Sequence, residues 1–312
     1  MSKIDRVLRS NLKLRHLQML VALDQFRHLG RAAEFLSVTQ PAVSKTLAEI
    51  ERMFGMPLFV RSTRGTEPTS AGVSVARFAR SVLAGYDRTR DEIAAHASGA
   101  SGRTSVGAMV VATPVLLAQA VERLKARSSH TTVLIEEGDL TRLLPKLRMG
   151  ELDLFAGRLE PGYASPDLET EPLYDDPMVA VVRPGHPLAR KRKLQWSDVA
   201  AQPCVLPPPW ASLRVKLEQQ FFAHDLHPPA DIVESASFLS QITFLHQRSA
   251  VAFMARSVAR HFAAQGLLAV LSLPVAVDLP PVGLITLRGQ AVTPVTQALL
   301  ECLREAAEAL GP

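Results

Sequence analysis

Cysteine is almost absent: of 312 residues only Cys204 and Cys302 are cysteine, far apart and in neither metal-ligand nor redox spacing. That scarcity excludes a disulfide scaffold and points to a reducing, cytoplasmic setting. Long hydrophobic runs are missing too. The most apolar late stretch, residues 267–287, is broken by Pro274, Asp278, Pro280 and Pro281, and no basic head with an apolar run and cleavage site opens the chain. No membrane span and no signal peptide are expected. The signatures of catalysis are also lacking: there is no glycine-flanked serine elbow, paired-histidine metal helix, phosphate loop or dinucleotide glycine fingerprint. His224 and His227 flank a proline-rich turn and read as surface residues. The expectation is a protein that is not an enzyme and holds no metal or cofactor.

What is present is length, apolar content and localised charge. Domains usually hold ~100 to 200 residues, so this chain accommodates two or three folded units. Residues 1–69 carry eleven Lys and Arg against six Asp and Glu, which equals the net charge of +5 for the whole chain. The excess therefore sits in the first fifth, which faces a polyanion, while the remainder sums to zero.

Within that basic segment, Leu14, Leu17, Leu20, Val21 and Leu23 recur at helical spacing over residues 13–26, and a second short helix is predicted over 30–36. A tight turn at Ser37 and Val38 leads to a third helix over 40–51, with Thr39 at its N-cap and Pro41 in its first turn. Ala32, Ala33 and Leu36 would pack against Val43, Leu47 and Ile50. This is a helix-turn-helix, whose second helix fits the DNA major groove with its N-terminal side chains at the base edges. Gln40 suits bidentate pairing with adenine. Pro41 suits a thymine methyl, and Ser44 and Lys45 reach a base or a phosphate. Alternation over residues 55–69, around Arg61-Ser62-Thr63-Arg64-Gly65, predicts two short strands with a basic tip, a wing.

Residues 70–97 contain no proline, and Val75, Phe78, Val82, Tyr86 and Ile93 share one face. A lone helix with so narrow an apolar stripe needs a partner helix. Residues 98–102, Ser-Gly-Ala-Ser-Gly, read as a joint. Beyond it, strands at 104–112, 132–137, 153–157, 179–183, 204–206 and 232–236 alternate with helices from 114, at 140–149, at 211–224 and near 239. Such alternation predicts α/β sheets with ligand sites at strand carboxyl ends.

The run Gly30-Arg31-Ala32-Ala33-Glu34-Phe35-Leu36, with Thr39-Gln40-Pro41-Ala42-Val43-Ser44, Ile50-Glu51, Phe54-Gly55, Leu58-Phe59, Arg61 and Thr69-Ser70-Ala71-Gly72, resembles the LysR-type transcriptional regulators over about sixty residues. Leu14-Arg15-His16-Leu17 and Gly157-Arg158-Leu159 are similar to the branch that regulates sugar-binding-protein genes and aromatic-acid catabolism. Gly30-Arg31, Ile50 and Pro68 depart from the usual pattern and affect local contacts in the first helix and the wing.

The resemblance implies a winged helix-turn-helix at residues 1–69, a linker and dimerisation helix with hinge at 70–102, and an effector-binding domain at 103–312. That domain would comprise two Rossmann-like subdomains (103–176 with 275–312, and 177–274), arranged as in periplasmic binding proteins, with two crossover strands as a hinge. It implies double-stranded promoter DNA, a small-molecule effector and RNA polymerase as partners, and a homodimer or homotetramer. DNA contacts would come from Arg31, Thr39, Gln40, Pro41, Ser44, Lys45, Arg61 and Arg64.

Effector contacts follow from strand-end positions: Thr113, Pro114, Asp139, Leu140, Arg158, Trp210, Ser212, Ser237 and Phe238. Helix N-termini in such a cleft favour an anion, an aromatic acid for instance, whereas Asp139 would repel a carboxylate and accept a sugar hydroxyl. Each position has a structural alternative: helix caps for Thr113 and Ser212, a surface ion pair for Arg158, packing for Trp210. A redox-sensing or effector-independent regulator of the same fold is the other reading. A Cys204–Cys302 switch would need the two Cα atoms within ~7 Å.

Overall fold

The computed structural model describes residues 3–62, 65–98, 102–209, 211–290 and 292–310. A short helix α1 (Lys3–Arg6) and a π-helical turn precede α2 (Leu14–Phe26), α3 (Leu29–Phe35) and α4 (Gln40–Phe54). Leu20, Leu23, Ala32, Ala33, Val43, Leu47 and Ile50 are buried together, and Leu36 packs against them. The small alanines let α3 approach α4 closely. The carboxylate of Glu51 near the end of α4 accepts the N–H groups of Leu58 (2.8 Å) and Phe59 (3.0 Å), which fixes where the wing begins.

The wing strands β1 (Phe59–Ser62) and β2 (Gly65–Pro68) pair antiparallel, Phe59 opposite Pro68. Gly65 adopts φ +135°, and a Cβ there would stand 2.6 Å from the Arg27 carbonyl, so only glycine fits. That carbonyl accepts the Thr66 N–H at 2.8 Å. The Thr69 hydroxyl accepts the Gly72 N–H (3.0 Å) and opens α5 (Ser70–Ser98). A Cβ on Gly72 would fall 2.0 Å from the Leu58 carbonyl, so this glycine lets the long helix cross the wing base.

Helix α5 lies along α2 through Ala76 and Ala79, both fully buried, and through Leu83. Arg80 pairs with Asp24 of α2 at 2.5 Å. The predicted apolar stripe divides: Val75 turns into the head core, while Phe78, Val82, Tyr86 and Ile93 are exposed. Packing on α2 claimed Val75, a long-range contact that periodicity does not reveal.

The remaining chain builds two five-stranded sheets. After β3 (Arg103–Ala108), a π-helical turn (Thr113–Leu117) runs into α6 (Ala118–Arg127), followed by β4 (Thr132–Glu137), α7 (Leu140–Met149), β5 (Leu154–Arg158) and β6 (Leu168–Tyr174). Then come β7 (Met178–Val182), α8 (Trp196–Ala200), β8 (Cys204–Leu206), α9 (Ser212–Phe222), β9 (Ile232–Glu234), α10 (Phe238–Arg248), β10 (Val251–Ala255), α11 (Arg256–Ala264) and β11 (Ala269–Val270). The chain ends with β12 (Val282–Leu287) and α12 (Pro294–Glu308). The first sheet has the order β4-β3-β5-β12-β6, and the second β11-β7-β10-β8-β9. Parallel pairs lie at β3 with β4 and β5, and at β8 with β9 and β10. β12 and β7 run antiparallel to their neighbours.

The chain passes between sheets twice, after β6 and after β11, and one buried side chain ties both passages. Arg158, 7 % exposed at the end of β5, donates to the carbonyls of Pro280 (2.8 Å) and Asp176 (2.6 Å). The Asp176 carboxylate in turn accepts the Ser257 N–H (3.0 Å) and hydroxyl (2.6 Å) at the start of α11. Burial pushes the Arg158 guanidinium below its ordinary range, and the Asp176 charge opposes that push.

Two predictions follow from these contacts. Arg158→Ala leaves one buried and one part-buried carbonyl unpaired, at about 1 to 3 kcal/mol each, so urea denaturation of the full chain should show a loss of about 2 to 6 kcal/mol, only partly recovered by Arg158→Lys. His16 is fully buried, accepts the Lys13 N–H on Nδ1 (3.2 Å), and has its pKa lowered by burial. The unfolded chain therefore binds the proton more readily, so the stabilisation is complete above about pH 6.5 and is lost as pH falls through the lower folded value. Thermal melts between about pH 7 and pH 5 should show a falling midpoint that flattens in His16→Gln.

Candidate nucleic-acid interface and ligand cleft

The leading turn of α4 is the exposed end of a rod whose other face is locked into the head core by Val43, Leu47 and Ile50. Gln40, Pro41 and Lys45 are exposed, and Ser44 is half-buried one turn beyond Gln40. Thr39 occupies the N-cap position with extended φ, yet its side chain makes no capping hydrogen bond. Its position is as expected, but its hydroxyl is not spent on the helix. Arg31 projects from α3, whose first amides, Gly30 (3.0 Å) and Arg31 (3.3 Å), are capped by Nδ1 of His28. Arg61 lies on β1 with its side chain outside the described set, and Arg64 lies outside the described residues.

Sequence reasoning passed over Arg27. It closes α2 in the left-handed region at φ 50°, and its guanidinium pairs with Glu67 (2.7 Å) and Asp24 (2.9 Å). It thereby holds the wing against the helices. An arginine gives no local hint of positive φ, so only the glycine at 65 signalled the close approach.

In the two-sheet region the strand-end residues have diverse duties. Thr113 and Pro114 open the π-helical turn, half-buried, with the Thr113 hydroxyl donating to the Met109 carbonyl at 3.3 Å. Asp139 caps α7: it accepts the Arg142 N–H (3.1 Å) and the Thr141 hydroxyl, and the latter bond chiefly holds its carboxyl below the usual range. Leu140 turns inward, 3 % exposed among Leu143, Leu144 and Leu147, so its side chain fills core. An effector contact through that side chain is corrected here, because the first apolar position after the cap faces the sheet. The surface-ion-pair alternative for Arg158 is corrected as well: the side chain is buried and donates to two carbonyls.

Across the second sheet, the Ser212 hydroxyl donates to Glu160 at 3.2 Å, joining α9 to the loop after β5. Ser237 caps α10 by accepting the Ser240 N–H (3.3 Å), and Phe238 packs on Phe262 with ring centroids 4.5 Å apart. Trp210 lies outside the described residues. Ser212 and Glu160 therefore bring the two units together at one rim, near Thr113, Arg158 and Ser237 in topology but without a shared contact among all of them.

The thiols are ill placed for signalling. Cys204 and Cys302 are both buried and free, in β8 and α12. Burial pushes the Cys204 thiol up to about 12 and raises Cys302 also, so neither supplies a reactive thiolate near neutral pH. Among the described residues no helix is long and apolar enough to cross a membrane.

Comparison with known proteins agrees with this architecture. Residues 14–73 match the bacterial regulatory helix-turn-helix protein, lysR family, and residues 97–308 match the LysR substrate binding domain. The HTH-type transcriptional regulator GbpR of Azospirillum brasilense is 30 % identical over 302 residues, covering 96 % of this chain and 88 % of the relative. PcaQ of Agrobacterium fabrum, another HTH-type transcriptional regulator, is 30 % identical and covers 95 % of each chain. The crystal structure of full-length CbnR complexed with its target DNA superposes with a TM-score of 0.69 over 95 % of this chain and 100 % of that one. At 20 % identity, that likeness concerns the fold. A head with the LysR helix-turn-helix, a long linker helix and a two-sheet substrate-binding domain thus occur in one chain, which belongs to the LysR family of transcriptional regulators and is not an enzyme.

Proposed function

We propose that this regulator reads promoter DNA through the leading turn of α4 and is switched by a small metabolite held between its two sheet units. The observation that carries the reading is the contrast along α4. Gln40, Pro41 and Lys45 are exposed at its start, while Val43, Leu47 and Ile50 fix its axis. A preset helix loses little entropy on entering the groove. In this reading Gln40 addresses a base, Pro41 a thymine methyl, and Arg31, Thr39, Ser44, Lys45, Arg61 and Arg64 the backbone or adjacent bases. The effector cleft lies at the rim marked by Thr113, Pro114, Ser212 and Ser237, with Arg158 behind it tying the crossover strands, and with an aromatic acid or a sugar as ligand class. Asp139 is engaged as a helix cap, which removes part of its repulsion toward an anion.

The exposed residues Phe78, Val82, Tyr86 and Ile93 of α5 support pairing with the same helix of a second copy, which would place two heads on half-sites related by a dyad. A homotetramer acting in the cytoplasm is the assembly that this reading favours. The buried thiols weigh against the redox alternative.

Gln40→Ala should cost about 1 to 3 kcal/mol on the specific site and leave random duplex binding unchanged, measured by fluorescence anisotropy. Arg64→Ala should weaken all sequences alike and flatten the salt dependence. Equal losses for Gln40→Ala on both duplexes would refute the base-reading role. Sedimentation should show an oligomer at micromolar concentration and dissociation in Val82→Asp, because a charge on the stripe has no partner to compensate it. A wild-type monomer would refute linker pairing. Thermal-shift screening of the full chain with sugars and aromatic acids tests the ligand class.

A further inference from the structure

The sum of charges beyond the head conceals a separation that the fold makes visible. Residues 177–274, which form the second sheet and its helices, hold ten Lys and Arg against five Asp and Glu. The first-sheet unit, residues 103–176 with 275–312, holds ten against sixteen. One unit is therefore net positive and the other net negative, and a polyanion would favour the former and be repelled by the latter.

Within the positive unit the cations are not equivalent. Arg214 pairs with Glu218 (2.6 Å) and Glu234 (3.0 Å), Arg248 with Asp231 (2.5 Å), and Lys191 with Asp198 (2.6 Å). Arg190, Arg192 and Lys193 are exposed and make no ion pair among the described residues. Three unpaired cations thus fall within four consecutive residues. The segment that presents them is firmly held. On one side His186, 2 % exposed, accepts the Leu188 N–H on Nδ1 (3.1 Å) and meets the Ser249 carbonyl through Nε2 (3.0 Å). Arg183 donates to the Ser249 hydroxyl at 2.9 Å. On the other side Leu194 is buried and the buried Trp196 donates its indole N–H to the Pro274 carbonyl at 3.2 Å.

We propose that Arg190, Arg192 and Lys193 form a second, sequence-independent DNA contact that grips the phosphate backbone flanking the site read by α4. The chemistry of the segment fits phosphate rather than bases. Residues 187–193, Pro-Leu-Ala-Arg-Lys-Arg-Lys, offer only cationic donors, with no amide side chain to read a base and no aromatic ring to stack on one. A braced loop loses little freedom on binding. A cation cluster tethered to a chain already bound through its head also acts at high effective concentration, so a contact that is weak alone becomes significant. The inference rests on the DNA-reading role of the head and adds a contact outside it.

The test uses the full chain and the triple variant Arg190→Ala, Arg192→Ala, Lys193→Ala on two random-sequence duplexes, of about 20 and about 80 base pairs, from about 50 to 200 mM salt. The short duplex has room for the heads alone, and the long one supplies flanking DNA. On the long duplex the variant should show a log–log salt slope shallower by about 2 to 3, at ~0.9 per phosphate released. On the short duplex the two proteins should coincide, which also shows that the heads are intact. Identical slopes on the long duplex would overturn the proposal. An equal deficit on both duplexes would overturn it as well, because the cations would then act through the heads or the assembly. Failure of the wild-type chain to bind either duplex would instead fall on the reading of α4.

Discussion

Any signal from the ligand cleft to DNA must pass through α5, and the structure constrains that helix by two ion pairs. Near the head, Arg80 meets Asp24 of α2 at 2.5 Å. Nearer the sheets, Arg88 donates to the Gly150 carbonyl at the end of α7 (3.0 Å) and lies 3.7 Å from Asp153 ahead of β5. The Asp153 carboxylate also accepts the Ser105 N–H (2.8 Å), so the anchor reaches β3 and β5 of the first sheet. Between the two anchors lies a cavity of about 420 Å³ lined by Val21 of the head, Leu83 and Ala84 of the linker, and Leu134 of β4. The linker is held to the head by buried Ala76 and Ala79, whereas its anchor on the regulatory region is the polar one made by Arg88. Such joints adjust at less cost than a packed core does.

The opposite holds at the passage between the sheets. Arg158 is buried and donates to two backbone carbonyls, and Asp176 carries the tie onward to α11. Both connecting segments are thereby drawn to one point, around which the two units could close. Ser212 and Glu160 touch across the rim. That hydrogen bond is exposed, whereas behind it Leu116 of the first unit and Val258 of the second belong to one buried apolar core.

Much of this was legible in the residues because the signals were local. Thr39, Pro41 and the spacing of Val43, Leu47 and Ile50 define α4, and the structure extends it only to Phe54. Asp139 and Gly150 bracket α7 as a cap and a left-handed stop, so its limits coincide with the expectation. What escaped was set by contacts distant in sequence. The return of strand β12 to the interior of the first sheet is no property of its own residues; only the family resemblance implied it. Leu140 and Arg158 stand at strand ends like ligand contacts but are drawn inward by the α7 core and the crossover carbonyls. The charge separation is hidden for a different reason: in the sum beyond the head, acids of one unit cancel cations of the other.

The length of α5 has a further consequence of scale. From Ser70 to Arg88 the helix measures about 27 Å at 1.5 Å per residue. A tilt of about 10° around the Gly150 anchor would carry the wing base sideways by roughly 5 Å, which exceeds the ~3.4 Å rise from one base pair to the next. A rearrangement small enough to be absorbed by one arginine side chain would thus shift the reading head into a neighbouring register of the duplex.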